Sequence, residues 1–155
     1  MSFSAGQKVS TATLDTLGSV VFQSVGAAQT TSSLNMTAAY ADLTGTSLTF
    51  TTQYANTKIN VWASFDVVYT NNIDIGVGGP LFLGTLVVDG VNLTSSGEAH
   101  FNGVRATVFQ QWPVTLTAAG NHTLKLQGKY VGSAPTGNIQ ALGTHTRWSG
   151  LVFGP

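Results

Sequence analysis

The chain has 155 residues, 43% of them apolar, which is enough for one domain with a single sizeable core. Six acidic residues balance six basic ones and charged residues make up only 8%, so the field that would draw in nucleic acid or an anionic membrane is missing. No cysteine is present, which excludes disulfides and thiolate metal sites, and the low charge, a mean hydropathy of +0.19 and 35 serines and threonines describe a β protein that hides much of its surface in contacts.

Residues 1–10, MSFSAGQKVS, lack the apolar core of a signal peptide, and no run approaches the roughly 18 apolar residues of a membrane helix. The mature chain is therefore expected to begin at Met1. Residues 9–18, VSTATLDTLG, carry the one helix signal, with Ser10 as N-cap, Val9 and Leu14 spaced as a hydrophobic staple and Gly18 as the stop. A two-turn helix is marginal alone in water, so Val9, Leu14 and Leu17 must dock on something. Either the segment folds back on its own domain, or residues 1–18 form an arm that anchors on another protein while residues 19–155 form the domain.

From Ser19 onward the patterns are strands separated by turns. Ser19–Val25 reads as a short strand; Leu34–Leu43 and Ser47–Gln53 follow, joined through Thr44-Gly45-Thr46, with Leu48 and Phe50 facing inward. Lys58–Thr70 is the strongest signal. Ile59, Val61, Ala63, Phe65, Val67 and Tyr69 share one face at strict period two, and at about 3.3 Å per residue the run is long enough to cross a whole sheet, paired on both edges. Its second face mixes Trp62 and Val68 with Ser64 and Asp66, which points to a protein partner covering it.

The stretch 71–80, rich in Gly and Asn, reads as a long loop; Leu81–Asp89 is a strand turned at Asp89-Gly90 into a hairpin with Val91–Leu93, and 94–103 is a second polar loop. Val104–Trp112 alternates, with Phe109 on the face of Arg105 and Thr107. Pro113 is expected to break or bulge the ladder, leaving Val114–Thr117 as an edge piece. His122–Val131, a loop at 132–137 and a long last strand, Asn138–Phe153, complete the chain, with a change of phase expected near Gly143 or Gly150. Eight or nine strands without helical crossovers define an all-β antiparallel jelly-roll sandwich preceded by a short N-terminal arm with one brief helix.

Catalytic material is thin. The carboxylates are Asp15, Asp42, Asp66, Asp74, Asp89 and Glu98, the imidazoles His100, His122 and His145, and no catalytic spacing joins them. His122 after the AGN turn reads as a turn cap, and His145 alternates with Arg147 as an interface residue. Glu98 and His100 would need further ligands to hold a metal, so neither a metal nor another cofactor is expected. Gly76, Gly78 and Gly79 lack the Lys-Ser/Thr and the helix of a phosphate loop. Asp66, on a long central strand, is expected to face solvent or pair with Arg105, Arg147 or a lysine, as an unpaired buried carboxylate is costly. Asn35, Asn92 and Asn121 head Asn-x-Ser/Thr triplets of the kind that a Thr-rich chain produces by chance.

The stretches YADLTGTSLTFTT (40–52), KINVWASF (58–65), VVDG (87–90), LTAAGNHTLKLQ (116–127) and WSGLVFG (148–154) together resemble the trimeric jelly roll of the complement-globular-head and tumour necrosis factor type, in the variant carried on virions of tailed bacteriophages. FSAGQKVSTATLDTL (3–17) resembles a leader common at the start of phage tail and head accessory proteins. The resemblance implies three subunits packed about a three-fold axis through one sheet's aromatic and aliphatic face, here Trp62, Val68 and Phe109.

It also implies a place on the virion surface. A chain without heptads or collagen-like repeats has no shaft for a fibre tip, and a capsid offers three-fold positions that match a trimer; the expectation is thus a non-enzymatic capsid decoration protein, bound to the major capsid protein through Val9, Leu14 and Leu17. Two other readings stand beside it. One is a tail-fibre tip or minor tail protein whose loops at 71–80, 94–103 and 132–137 bind host receptor glycan, with Tyr69, Phe101 and Tyr130 as candidate stacking residues. The other is a secreted carbohydrate-binding module or a glycosidase fragment, the latter needing two carboxyls about 5 to 10 Å apart.

Overall fold

The computed structural model describes residues 23–69, 81–99, 105–132, 139–141, 143 and 145–153. The helix expected at 9–18, the arm 1–18 and the loops 71–80 and 132–137, save Gly132, lie outside the described residues, as do residues 100–103 of the loop expected at 94–103. Among the described residues eleven strands form two antiparallel sheets: β1 Gln23–Gln29, β2 Leu34–Asn35, β3 Ala41–Asp42, β4 Leu48–Thr52, β5 Thr57–Tyr69, β6 Leu81–Val88, β7 Val91–Ala99, β8 Arg105–Leu116, β9 Gly120–Val131, β10 Ile139–Ala141 and β11 Arg147–Phe153. The first sheet runs β1-β11-β5-β8, with β10 and β2 continuing β11 and β1, and the second runs from β3 and β4 through β9 and β6 to β7. The pairings β1 with β11, β4 with β9, β5 with β8 and β6 with β7 nest inside one another, which is the jelly roll.

The core follows from β5. Ile59, Val61, Ala63, Phe65, Val67 and Tyr69 are each at most 3% exposed, because one face of a pleated strand buried against a second sheet must be apolar at every other residue. Phe65 sits at its centre, 5.5 Å from the ring of Phe82 on β6 and 6.3 Å, edge-on, from Trp112 on β8. Gly84 on β6 makes room for it, since a Cβ there would lie 2.6 Å from the Phe65 ring. Trp148 is buried and donates its indole N–H to the Thr46 carbonyl at 2.6 Å, while the Thr46 hydroxyl accepts from Leu126 N at 3.0 Å and donates to Leu43 O at 2.7 Å. One threonine thereby ties β11 of the first sheet and β9 of the second to the turn before β4.

Several expectations are corrected. Among the described residues the first strand, Gln23–Gln29, overlaps the expected Ser19–Val25 and runs four residues past it, while residues 19–22 lie outside the described residues. Leu34–Leu43 is not one strand: β2 pairs with β10 and β3 with β9, so the chain changes sheets between them. β7 runs on through Ala99, its ladder with β6 covering residues expected to be loop. Pairing dominates polar composition there, since Gly97 and Glu98 lie opposite Gly84 and Leu83. Pro113 does not break β8, which pairs with β5 without interruption from Leu116 to Arg105; β8 has β5 as its one ladder partner among the described residues, and a proline is tolerated where one side of the strand is open.

The last strand divides as well. Ala141 pairs with Val67 and Arg147 with Ser64, so the two intervening β5 residues, Phe65 and Asp66, face a stretch of five, which is the phase change expected near Gly143. The Thr146 hydroxyl closes the gap, accepting from Asp66 N at 3.0 Å. At Gly143 any Cβ would come within 2.9 Å of the Ser32–Ser33 backbone.

Phe65 and Gly84 should therefore behave as one unit. Phe65→Ala is expected to cost about 3 to 5 kcal/mol through its cavity. Gly84→Ala is expected to cost about 1 to 3 kcal/mol by overpacking, and measurably less in a Phe65→Leu background. Urea unfolding of the four chains checks the coupling, and strict additivity would refute it.

Candidate functional site

The two outer faces of the sandwich differ in kind. On the second sheet the outward residues satisfy one another. Lys125 Nζ and Gln127 Nε2 each donate to Asp42 at 2.7 Å, Asn92 Nδ2 donates to Gln127 at 2.9 Å, Thr51 donates to Asn121 at 2.6 Å, the Thr49 and Thr123 hydroxyls share a bond of 2.9 Å, and the Lys129 ammonium lies 4.4 Å above the Tyr40 ring. Such a closed polar lattice needs nothing beyond water. Asp42 is held below the usual carboxylate range, first by its hydrogen bond from Lys125 and then by that from Gln127.

The first sheet presents the second face of β5. Trp62, opposite Gln111 on β8 and Ser149 on β11, is 36% exposed, and Phe109, opposite Ser64, is 77% exposed. These rings are diagonal neighbours across two strands, within contact range for aromatic side chains. With Ser64, Arg147 and Ser149 they line a hollow of roughly 370 Å³. The Asn60 Oδ1, on the same face of β5, is buried with no donor among the described residues. Exposed Tyr54 and Val91 stand singly near turns, as scattered surface apolar residues commonly do.

Asp66 lies beyond the hollow on the same face. Its carboxylate accepts from Arg105 Nε at 2.8 Å and from Arg105 Nη2 in a two-pronged pair across the β5–β8 ladder. Arg105, one of the partners expected from the sequence, is the one it takes. The hydrogen bond from Arg105 is the largest cause holding the Asp66 carboxyl below its usual range, against the opposing effect of burial. His145 is exposed in the break before β11 and adds a smaller electrostatic pull on Asp66.

The residues singled out from sequence are thus dispersed. Trp62 and Phe109 come together; Val68 is half-buried on the same face but sits at the Arg105 end, away from the hollow. Tyr69 is 1% exposed and cannot stack on a sugar, because its place in the β5 alternation turns it into the core. Tyr130 likewise follows Leu124 and Leu126 on the inward face of β9 and packs against the core. Phe101 and His100, with Val9, Leu14 and Leu17, lie outside the described residues. Arg147, Ser64 and Ser149 were not singled out as lining a site; the period-two register that placed Trp62 outward would have found Ser64, whereas Arg147 and Ser149 depend on how β11 pairs, which no local pattern states. Among the described residues no group of three or more His, Cys, Asp or Glu is placed to hold a metal ion, and no helix is long and apolar enough to cross a membrane.

No protein-family model matches the chain, and no curated protein is similar to it. Solved structures with a likeness in fold include the insecticidal delta-endotoxin Cry8Ea1 from Bacillus thuringiensis, at 13% identity and a TM-score of 0.43, covering 79% of this chain and 19% of that one. They also include the carbohydrate-binding module CBM36 in complex with calcium and xylotriose, at 16% identity and a TM-score of 0.40, covering 86% of this chain and 94% of that one. The present chain therefore spans about a fifth of the endotoxin.

The Asp66–Arg105 pair sets an acid-side dependence. With the folded carboxyl below its unfolded value, the stabilisation is complete above about pH 3.9 and is lost as the pH falls through the depressed value. Urea midpoints at pH 7 and pH 3 should differ less in Asp66→Asn than in the parent; an unchanged difference would show that the pair contributes nothing to the acid limb.

Proposed function

We propose that this chain is a non-enzymatic structural protein of a tailed-phage virion, working as a homotrimer that decorates the capsid, with the outer face of the first sheet turned toward the three-fold axis. The observation that carries the reading is the contrast between the faces. The second sheet closes its polar groups on itself, whereas the first leaves Trp62 and Phe109 in water beside a buried acceptor without a donor. Removing a fully exposed ring of phenylalanine size from water is worth about 1.5 to 3 kcal/mol, with Trp62, already largely covered, adding part of its surface; the six rings of a trimer thus offset part of the cost of its two association steps, roughly 4 to 15 kcal/mol each.

The nested strand order supports the reading in a second way, because it is the order the trimeric jelly-roll resemblance implies. In this reading residues 1–18 anchor the trimer through Val9, Leu14 and Leu17, and three arms on one rigid body raise the effective concentration of each after the first has docked.

Sedimentation at micromolar concentration should show a species three times the 16.1 kDa of one chain, and the double substitution Trp62→Ser with Phe109→Ser should return a folded monomer. Finding the parent only at 16.1 kDa would reject the trimer. Added to undecorated capsids, the intact trimer should bind far more tightly than an isolated arm peptide and should persist at near-molar salt, since low charge leaves apolar burial to hold it. Unchanged capsid binding after deletion of residues 1–18 would reject the anchoring role.

A second reading is favoured by the hollow itself. Two exposed aromatic rings with Ser64, Arg147 and Ser149 beside them suit the apolar face and hydroxyls of a sugar ring. A protein that sediments as a monomer, and whose tryptophan fluorescence shifts with host glycan unless Trp62 is replaced, would favour a glycan-binding tip or module over the trimer.

A further inference from the structure

His122 is the third residue of β9, just after the turn at Ala118, and it is 6% exposed. Both of its ring nitrogens are engaged. Nδ1 lies 2.6 Å from Asp89 Oδ2, and Nε2 lies 3.1 Å from the Ala118 carbonyl oxygen. Asp89 belongs to the two-residue turn between β6 and β7, so the ring spans from that turn to the one before β9. The Asp89 carboxyl is held below its usual range; burial opposes this most strongly, and the hydrogen bonds from His122 and from Thr123 N outweigh it. It is therefore an anion with no proton to give, as the carbonyl is by its nature.

A neutral imidazole has one N–H and one bare nitrogen, and a bare nitrogen facing an oxygen acceptor is repelled. Two acceptors ask for two protons. We propose that this end of the sandwich is built around the imidazolium form of His122, as a charge-dependent clamp that ties the β6–β7 turn to the β8–β9 turn and gives up one of the two ties when the ring loses a proton.

The surroundings leave Asp89 as the charged partner. β4, which places Phe50 opposite His122 with ring centroids 6.1 Å apart, is LTFTT, and β6 is LFLGTLVV; neither carries an ionisable side chain. The end of β8 nearest the turn, WPVTL, has none. Lys125, on β9 itself, points to the outer face and is bound to Asp42. The remaining Asp89 oxygen accepts from Thr123 N at 2.7 Å, and Asp89 N donates to Thr123 O at 2.9 Å, so a loosened clamp should be felt first at those two amides. The Asp89 part of the tie is lost as the pH falls below the ordinary carboxylate value of about 3.9.

The test uses the full-length, uniformly ¹⁵N-labelled chain, with long-range proton–nitrogen spectra of the histidine rings recorded from pH 5 to pH 9 and the His122 signals assigned by their absence in His122→Asn. Two protonated ring nitrogens at the acidic end are expected, followed by loss of one proton together with an increase of roughly tenfold in exchange of the Asp89 and Thr123 amides beyond the general base-catalysed rise. A ring with a single proton throughout the range would overturn the proposal, and so would a ring that loses its proton while those amides stay protected. Asp89→Asn, which keeps the shape of the turn, should shift the one-proton form to lower pH. If it leaves the ring titration where it was, the carboxylate is not the partner and the clamp is wrong.

Discussion

The alternation of β5 is the constraint on which the rest depends. Thirteen residues paired along both edges cannot slip by one without moving six core side chains into water and six outward ones into the core. Once that phase is set, the neighbouring ladders inherit it: Trp112 and Val108 on β8 and Trp148 on β11 must face inward, and Phe109 and Arg147 must face outward. Phe65 in the middle then fixes what the second sheet can offer opposite, which is why β6 has a glycine at 84.

What could be read from the sequence divides along the same line. The phase of β5, its pairing on both edges, the turn at Asp89-Gly90, the turn-capping place of His122 and the need of Asp66 for water or a cation, with Arg105 among the candidates, were all accessible, because each rests on residues close in sequence or on the cost of leaving a charge alone. Long-range pairing was not. Nothing local says that Leu34 and Ala41 belong to different sheets, or that polar residues after Leu93 continue as strand because β6 is there to receive them. The reading of Tyr69 as a candidate for stacking on ligand set nearness to a loop above the strand's own alternation, and the alternation decided.

The contrast between the outer faces has a further basis in charge. With so few ionisable groups, the molecule keeps Asp42, Lys125 and Lys129 on the second sheet, where they tie polar neighbours together, and on the first sheet folds Asp66 and Arg105 into a pair beside the aromatic hollow. An apolar partner covering this face meets Asp66 already matched by Arg105, whereas an unpaired Asp66 there would oppose any contact.

Pro113 bears on how copies of the chain can meet. Among the described residues the margin of β8 away from β5 has no ladder partner, and such a margin would otherwise be a template on which another chain could extend the sheet, strand on strand, without limit. A residue with no amide hydrogen in the middle of that margin interrupts such growth, and it does so without disturbing the ladder on the other side. Lateral polymerisation is thereby discouraged while face-on contact stays open, so assembly is steered toward closed bodies of fixed number and away from fibres.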